Sequence, residues 1–185
     1  MIDDLLAEAA QRMDQTVEHT IHEFNTVRTG RASAALLDRV SVDYYGTQTP
    51  LKQLATINVP DPRMLTVQPF DPSSIRGIEK ALQESDLGLT PSNDGKIIRL
   101  PIPQLTEERR KELVKVVRHM AEEGRVAVRN VRRDLMHHLR ELVDSGQVGA
   151  DEEHRAEERA QKLTDERTQR IDELLKRKEA EVLEV

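Results

Sequence analysis

The sequence predicts an α+β protein, in which an antiparallel bundle of three long helices is interrupted by a small mixed domain. Apolar residues recur at steps of three and four in the first 28 residues and again after residue 105, which is the pattern of a buried helical face. All eight prolines lie between these stretches, in residues 29–105, together with short β-rich runs. The 185 residues suffice for two small domains.

Residues 1–28 are predicted to form the first helix. Its apolar positions define one stripe, made of Ile2, Leu6, Ala9, Met13, Val17, Ile21, Phe24 and Val27. At a rise of about 1.5 Å per residue the helix spans about 40 Å, and it cannot hide the stripe by itself. The stripe therefore requires long partner helices.

The proline-containing block is predicted to form strands and one short helix. The strands are expected over four ranges, 40–45, 55–59, 64–68 and 96–100. Asn93, Asp94 and Gly95 form a tight-turn signal before the last of them. The short helix is expected over residues 73–85, with Gly88 after its end.

After residue 105 the helical pattern resumes. Thr106 is expected to cap the second long helix, and acidic residues follow it in the first turn. Residues 145–149 break the pattern, and Asp151 is expected to cap the third long helix. The expected buried residues of these two helices are Leu113, Val117, Met120, Val128, Val131, Leu135, Leu139 and Leu142, then Ala156, Leu163, Ile171, Leu174, Leu175 and Leu183.

Three long helices with one apolar stripe each predict a three-helix bundle with an inserted domain. The bundle domain is assigned to residues 1–29 and 106–185, and the inserted domain to residues 30–105. Because the chain passes between the domains twice, both crossings are expected at one end of the bundle. The two crossing segments lie side by side, and Gly30 is in one of them, so they are expected to form a hinge. This predicts an elongated, bent molecule.

Residues 125–133 concentrate arginine in an acidic chain. Four arginines fall within nine residues of a protein whose formal net charge is -6. At about 100° per residue, Arg125, Arg129 and Arg132 share one helical face and Arg133 lies beside them. These four residues are called the arginine stripe below. The basic face extends along the same helix through Lys111, Lys115, Arg118 and Arg140, with Glu122 as the one acid inside it. The pattern predicts a polyanionic partner.

The alternative interpretation of the arginine stripe is an ordinary solvated helix face. Against it, the residue four positions after Arg125 or Arg129 is another arginine and not an acid. Such like-charge pairs destabilise an isolated helix by about 0.2–0.5 kcal/mol each. Arginine also offers a planar, bidentate donor that suits phosphate. Because the chain has few aromatic residues, recognition of RNA through its shape and backbone fits better than base stacking.

The composition and motifs exclude several classes of protein. The chain has no cysteine, which removes disulfides, thiol nucleophiles and Cys-ligated zinc and fits a reducing cytoplasm. The histidine pairs at 19/22 and 137/138 are weak evidence for a metal site, which needs three or four converging ligands. No phosphate-binding glycine loop, nucleophile elbow or metal-hydrolase motif occurs. We therefore expect no enzyme activity, no cofactor, no metal and no membrane-spanning segment.

Six separated motifs follow one another along the chain: 28–33 (RTGRAS), 44–47 (YYGT), 49–55 (TPLKQLA), 86–89 (DLGL), 105–111 (LTEERRK) and 125–133 (RVAVRNVRR). Together and in this order they resemble those of bacterial ribosome recycling factors, and the resemblance runs from end to end. It implies an L-shaped molecule with a three-helix domain and a smaller β/α/β domain. It also implies binding across the tRNA sites of the post-termination ribosome, where elongation factor G and GTP drive subunit separation.

The resemblance implies roles for two sets of residues. Those expected to bind ribosomal RNA are Arg129, Arg132, Arg125, Arg133, Arg28, Arg109 and Arg110, of which the first two match family positions that contact large-subunit RNA. Those that match the interdomain hinge are Thr29, Gly30, Gln104, Leu105 and Thr106. The implied partners are the large ribosomal subunit with its RNA and elongation factor G. The protein is expected to be a cytoplasmic monomer that binds no DNA.

Several alternatives stay open at the level of the sequence. The long helices could instead serve an adaptor protein as a coiled-coil surface, or the arginines could serve a general RNA-annealing protein. Gly124 lies in mid-helix, where it is either simply tolerated or lets RNA or a partner approach closely. Tyr44 and Tyr45 are either core plus turn or the face on which the translocase acts.

Overall fold

The computed structural model describes residues 1–184 and contains four α-helices and six β-strands. The helices are α1 (Ile2–Asn25), α2 (Ile75–Glu84), α3 (Glu107–Asp144) and α4 (Ala150–Leu183). The strands are β1 (Ser41–Tyr44), β2 (Thr47–Pro50), β3 (Ala55–Asp61), β4 (Met64–Pro69), β5 (Ser92–Asn93) and β6 (Ile98–Pro101). Short 3-10 helices cover Ala34–Leu37, Leu51–Gln53 and Pro72–Ser74. The predicted α+β class is confirmed.

The chain forms two compact units. The helical unit consists of Met1–Arg28 and the chain from Glu107 onward, and the small unit consists of Thr29–Thr106. Both chain crossings expected to act as a hinge, at 29–30 and 104–106, belong to the small unit by this division.

Ion pairs between the three long helices give the direction of each in the helical unit. From α1 to α3, Arg12 pairs with Asp134, whereas from α1 to α4, Asp3 pairs with Arg159 and Asp14 with Arg167. Between α3 and α4 the pairs are Arg118–Glu179, Arg125–Asp172 and Arg140–Glu153. As the residue numbers rise along α3, those of their partners in α4 fall, so these two helices are antiparallel. Helix α1 runs parallel to α4. This is an antiparallel three-helix bundle.

The core of the helical unit follows the predicted stripes in large part, but several residues of these stripes are only half-buried: Ile2, Met120, Leu142, Leu163, Leu174 and Leu175. In α1 the polar residue Thr20 is buried, and Ile21 is half-buried. In α4 the prediction that Leu183 is buried is wrong, because its side chain is 53% exposed, whereas Val182 is fully buried. Val182 comes three turns after Ile171 and lies on the same face, and the next residue is rotated by about 100°.

The ends of two helices differ from the prediction. Helix α1 stops at Asn25 and not at residue 28, because the amides of Thr26 and Val27 already bond three residues back, to Glu23 and Phe24. Helix α4 begins at Ala150 with Gly149 as its N-cap, so the prediction that Asp151 is the cap is wrong. The carboxylate of Glu152 accepts a hydrogen bond from the Gly149 amide at 3.2 Å. The side-chain contact at this helix end therefore comes from Glu152 and not from Asp151.

The small unit contains two antiparallel sheets and α2. One sheet is the β1–β2 hairpin, and the other has the strand order β3-β4-β6-β5. The four predicted strands are confirmed as β1, β3, β4 and β6. Strands β2 and β5 were not predicted, because β2 is polar and mostly exposed and β5 is two residues long. The fully buried residues of the core are Leu37, Leu51, Leu65, Val67, Ile78, Leu82, Ile98 and Leu100.

The predicted turn at residues 93–95 is confirmed as the link between β5 and β6. The carboxylate of Asp94 accepts the backbone amides of Ile97 and Lys96 at 2.8 and 2.9 Å, and the guanidinium of Arg99 donates to it at 2.9 Å. These hydrogen bonds, those from the backbone first, lower the pKa of Asp94 to about 2. Gly95 takes a positive φ of 91°, as the turn requires.

Candidate nucleic-acid interface

The arginine stripe lies on the middle part of α3, and its four members differ in exposure. The Arg125 side chain is 20% exposed, and that of Arg129 is 42% exposed. Arg132 is half-buried and Arg133 is exposed. The residues therefore share one surface, but they do not offer the same access to a ligand.

Arg125 ties α3 to α4. Its Nε donates to Glu122 Oε2 at 3.0 Å, and its Nη1 donates to Asp172 of α4. Burial works against the charge on Arg125, but the hydrogen bonds to Glu122 and Asp172 outweigh it and raise the pKa of the guanidinium. Because both sides of this guanidinium already bind carboxylates, Arg125 is the least available member of the stripe for an external phosphate.

Glu122 bridges two arginines of the stripe. Its Oε2 accepts from Arg125, and its Oε1 accepts from Arg129 Nη2 at 2.7 Å. The hydrogen bonds from Arg125 and then Arg129 lower the pKa of the carboxyl group, which therefore stays ionised at neutral pH. The sequence pattern suggested an arginine stripe without acidic partners at i+4. The structure corrects this picture, since the acids come from Glu122 on the same face and from α4.

Arg132 and Arg133 have no carboxylate partner among residues 1–184. Arg132 Nη1 donates at 2.7 Å to Gln161 of α4, whose amide in turn donates to Asp165 at 2.8 Å. The partner of Arg132 is thus a neutral amide, which positions the guanidinium without cancelling its charge. Arg133 is exposed and makes no hydrogen bond to the described residues. These two residues keep their full charge for a ligand.

The other predicted RNA-binding arginines lie elsewhere on the helical unit. Arg109 and Arg110 are in the first turns of α3, roughly 22 Å along the helix axis from Arg125. Arg109 is exposed and donates to Glu112 at 3.0 Å, and Arg110 is half-buried. Arg28 is exposed just beyond the end of α1. The structure therefore does not bring these three residues together with the arginine stripe, and their RNA-binding role stays a prediction.

The predicted hinge residues form a close contact within the small unit. Gly30 has a positive φ of 76°, and a Cβ added there would lie 3.1 Å from Cγ of Leu105. A side chain at position 30 would therefore meet both backbone strain and the opposite chain crossing. Thr29, Gln104 and Thr106 flank this contact in the sequence. That the contact works as a hinge stays a prediction.

Gly124 faces the inside of the bundle, so neither predicted role for it is correct. It is buried, and a Cβ added there would lie 2.4 Å from Thr20 Oγ1 of α1 and 3.3 Å from Ile171 Cδ1 of α4. The missing side chain lets two helices of the same chain approach α3 closely. A Gly124 open to RNA or to a partner is excluded by this packing.

Tyr44 and Tyr45 divide between core and surface. Tyr44 is half-buried, and its hydroxyl donates to Asp71 Oδ2 at 3.1 Å. Tyr45 is 83% exposed and, with Gly46, forms the two-residue connection of the β1–β2 hairpin, where both residues have positive φ. The interpretation as core plus turn thus holds, with Tyr44 packed toward the core and Tyr45 in the turn. A contact of the exposed Tyr45 ring with a translocase stays a prediction.

The structure also bears on a metal site and on a membrane-spanning segment. Among residues 1–184, no three histidine, aspartate or glutamate side chains converge as a metal site would require. Within the same residues, no helix combines the length and the apolar character needed to cross a bilayer.

Comparison with known proteins decides the family. A family model described as "Ribosome recycling factor" matches residues 20–183. The chain belongs to the ribosome recycling factor family. Among its relatives, the ribosome-recycling factor of Rubrobacter xylanophilus is 58% identical over 180 residues, 97% of each chain. That of Synechocystis is 56% identical over 97% of this chain and 99% of the relative, and that of Salinispora tropica is 50% identical over the whole of both.

Two solved structures support the same assignment. The chain matches a solution structure of the ribosome recycling factor with a TM-score of 0.74 at 42% identity, over 100% of this chain and 98% of the other. It also matches a chain from models of the Thermus thermophilus ribosome recycling factor and the Escherichia coli elongation factor G bound to the E. coli post-termination complex. There the TM-score is 0.63 at 47% identity, over 99% of both chains. The family is one of translation factors and not of enzymes, which confirms the prediction for this chain.

Sequence reasoning missed the polar residues that hold the arginine stripe in place. Asp172 and Gln161 belong to α4, and nothing in the local pattern of α3 points to them. The sequence shows Glu122 as the one acid inside the basic face, but it does not show the contact of Glu122 with two arginines. Its spacing of three residues before Arg125 and seven before Arg129, one and two helical turns, is the signal that could have revealed it.

Proposed function

We propose that this protein recycles ribosomes after termination in the cytoplasm. It binds the post-termination ribosome across the tRNA sites and, with elongation factor G and GTP, separates the subunits so that mRNA and tRNA are released. The observation that carries the proposal is the match over 99% of both chains to a recycling factor described together with elongation factor G on the post-termination complex. The motor in this scheme is the GTPase partner.

The arginine stripe is the part of the protein that we assign to large-subunit ribosomal RNA. Arg132 and Arg133 have no carboxylate partner among residues 1–184, and Arg129 is accessible beside them. Guanidinium groups bind phosphate oxygens through charge-assisted, often bidentate, hydrogen bonds. Held on a helix that packs against both α1 and α4, these groups keep a fixed spacing when the RNA arrives. Arg125 contributes mainly by holding α3 to α4.

Purified post-termination ribosomes provide the test of the function. Incubated with this protein, elongation factor G and GTP, they are expected to sediment as separate subunits in ultracentrifugation. Omission of any one of the three components should leave the complexes intact. A coiled-coil adaptor would instead form oligomers, and an RNA-annealing protein would bind unstructured RNA as well as it binds ribosomes. Intact complexes in the complete mixture would overturn the proposal.

The two chain crossings near Gly30 and Leu105 are proposed to act as the hinge between the bundle domain, 1–29 and 106–185, and the inserted domain, 30–105. The support is the positive φ of Gly30 and its close approach to Leu105. Deleting one residue from the crossing at 102–105 should slow recycling while binding to the large subunit is retained, because binding is assigned to the bundle domain. Recycling at the full rate in that variant would mean that no mobile hinge is needed.

A further inference from the structure

We propose that the Glu122 carboxylate competes with phosphate for Arg129. It binds Arg129 in the protein without RNA and thereby limits the affinity of the arginine stripe for RNA. The inference rests on the proposed function of the stripe and adds a residue that sets its affinity. Glu122 is the one carboxylate inside the basic face of α3, and its side chain is 52% exposed.

The carboxylate of Glu122 accepts hydrogen bonds from two guanidinium groups at once. One oxygen accepts from Arg125 Nε at 3.0 Å, and the other accepts from Arg129 Nη2 at 2.7 Å. Arg125 and Arg129 are one helical turn apart, where two like charges repel each other. The carboxylate between them cancels part of that repulsion, so it favours the folded helix in the absence of RNA.

The two arginines are not equally bound by Glu122. Arg125 is mostly buried and keeps a second carboxylate, Asp172 of α4, whether or not Glu122 is present. Arg129 is more exposed, and Glu122 is its one carboxylate partner among residues 1–184. An exposed ion pair of this kind is weak and exchanges readily. Arg129 is therefore the guanidinium that can leave Glu122 for a phosphate.

This exchange lowers the affinity for RNA in two ways. Arg129 must give up its carboxylate partner when a phosphate arrives, so the new contact replaces an existing one. The negative charge of Glu122 then stays close to the phosphate and repels it. Both effects favour reversible binding, which suits a factor that must leave the ribosome after each round.

The test compares Glu122→Gln with Glu123→Gln in binding to purified large ribosomal subunits. Both substitutions remove one negative charge from neighbouring, exposed positions of α3, but Glu123 contacts His119 and not the arginine stripe. We expect Glu122→Gln to bind about two- to fivefold more tightly than Glu123→Gln. Its affinity should also fall more steeply with salt, since Arg129 is then fully available for phosphate. Thermal unfolding verifies that both variants are folded.

Arg129→Ala separates this inference from the proposed function. Combined with Arg129→Ala, the substitution Glu122→Gln should lose most of its gain, because the competed group is absent. If Arg129→Ala and Arg132→Ala both bind like the unchanged protein, the proposed RNA face itself is wrong. If they weaken binding but Glu122→Gln binds no more tightly than Glu123→Gln, only the competitor role is refuted. Weaker binding by Glu122→Gln would refute it as well.

Discussion

Replacing Gly124 by alanine is expected to lower the free energy of unfolding of the helical unit by about 1–3 kcal/mol, as overpacked cores do. On an exposed helix the same change would stabilise by about 1 kcal/mol, because glycine is a poor helix former. Packing wins at this position because the new Cβ would lie 2.4 Å from Thr20 Oγ1 and 3.3 Å from Ile171 Cδ1. Thr20 is itself buried and donates to the carbonyl of Thr16 at 3.0 Å, so its movement has a cost.

Two further variants make the Gly124 prediction specific. Thr20→Ala removes Oγ1, the nearest atom to the new Cβ, and Cγ2 at 3.3 Å, while Ile171 Cδ1 stays, so the double variant should be less destabilised than the sum of the single ones. Gly77→Ala is the matched control, since its Cβ would lie 3.9 Å from its nearest neighbours in an exposed part of α2. It should be neutral or stabilising.

Both tyrosines lie in the small unit, so their fluorescence reports on it, while far-ultraviolet circular dichroism reports mainly on the long helices. A stabilised Gly124→Ala protein would contradict the packing argument.

Replacing Arg132 by alanine is expected to weaken binding to the large ribosomal subunit about tenfold or more. A charge-assisted hydrogen bond to phosphate is worth about 1.5–3 kcal/mol, and Arg132 has no carboxylate partner among residues 1–184 that reduces its charge. Because its partner is the exposed amide of Gln161, the loss should change stability by no more than about 0.5 kcal/mol. The salt dependence of binding should also become shallower, by roughly one phosphate contact.

Arg12→Ala serves as the control for Arg132→Ala. It removes an exposed arginine from α1, where the guanidinium pairs with Asp134 at 2.9 Å, and it changes the net charge by the same amount. Its affinity for the subunit should stay close to that of the unchanged protein. Equal losses in the two variants would show that net charge and not the position of Arg132 governs binding. Unchanged affinity in a folded Arg132→Ala protein would refute the contact.

Some features of the fold depend on local sequence alone, and others depend on contacts between distant segments. Steps of three and four located α1, α3 and α4, because one apolar face per helix is a property of each segment alone. The turn at 93–95 was equally readable, since Asp94 bonds the amides of residues two and three positions on. Strand β2 was missed because its residues are polar and it is held by pairing with β1.

The linear pattern of the chain was sufficient for the fold class, the motifs of the family and the position of the arginine stripe. The use of each residue in the stripe depended on the register of the bundle. Arg125 meets Asp172, Arg132 meets Gln161, and Gly124 meets Thr20 only because α4 and α1 pack against α3 at one particular offset. The spacing of apolar residues indicates which face of a helix is buried. It does not indicate the offset between two packed helices, because the same faces stay buried when one helix slides along the other. Tertiary packing therefore decided which arginine of the stripe ties α3 to α4 and which are left for the proposed contact with phosphate.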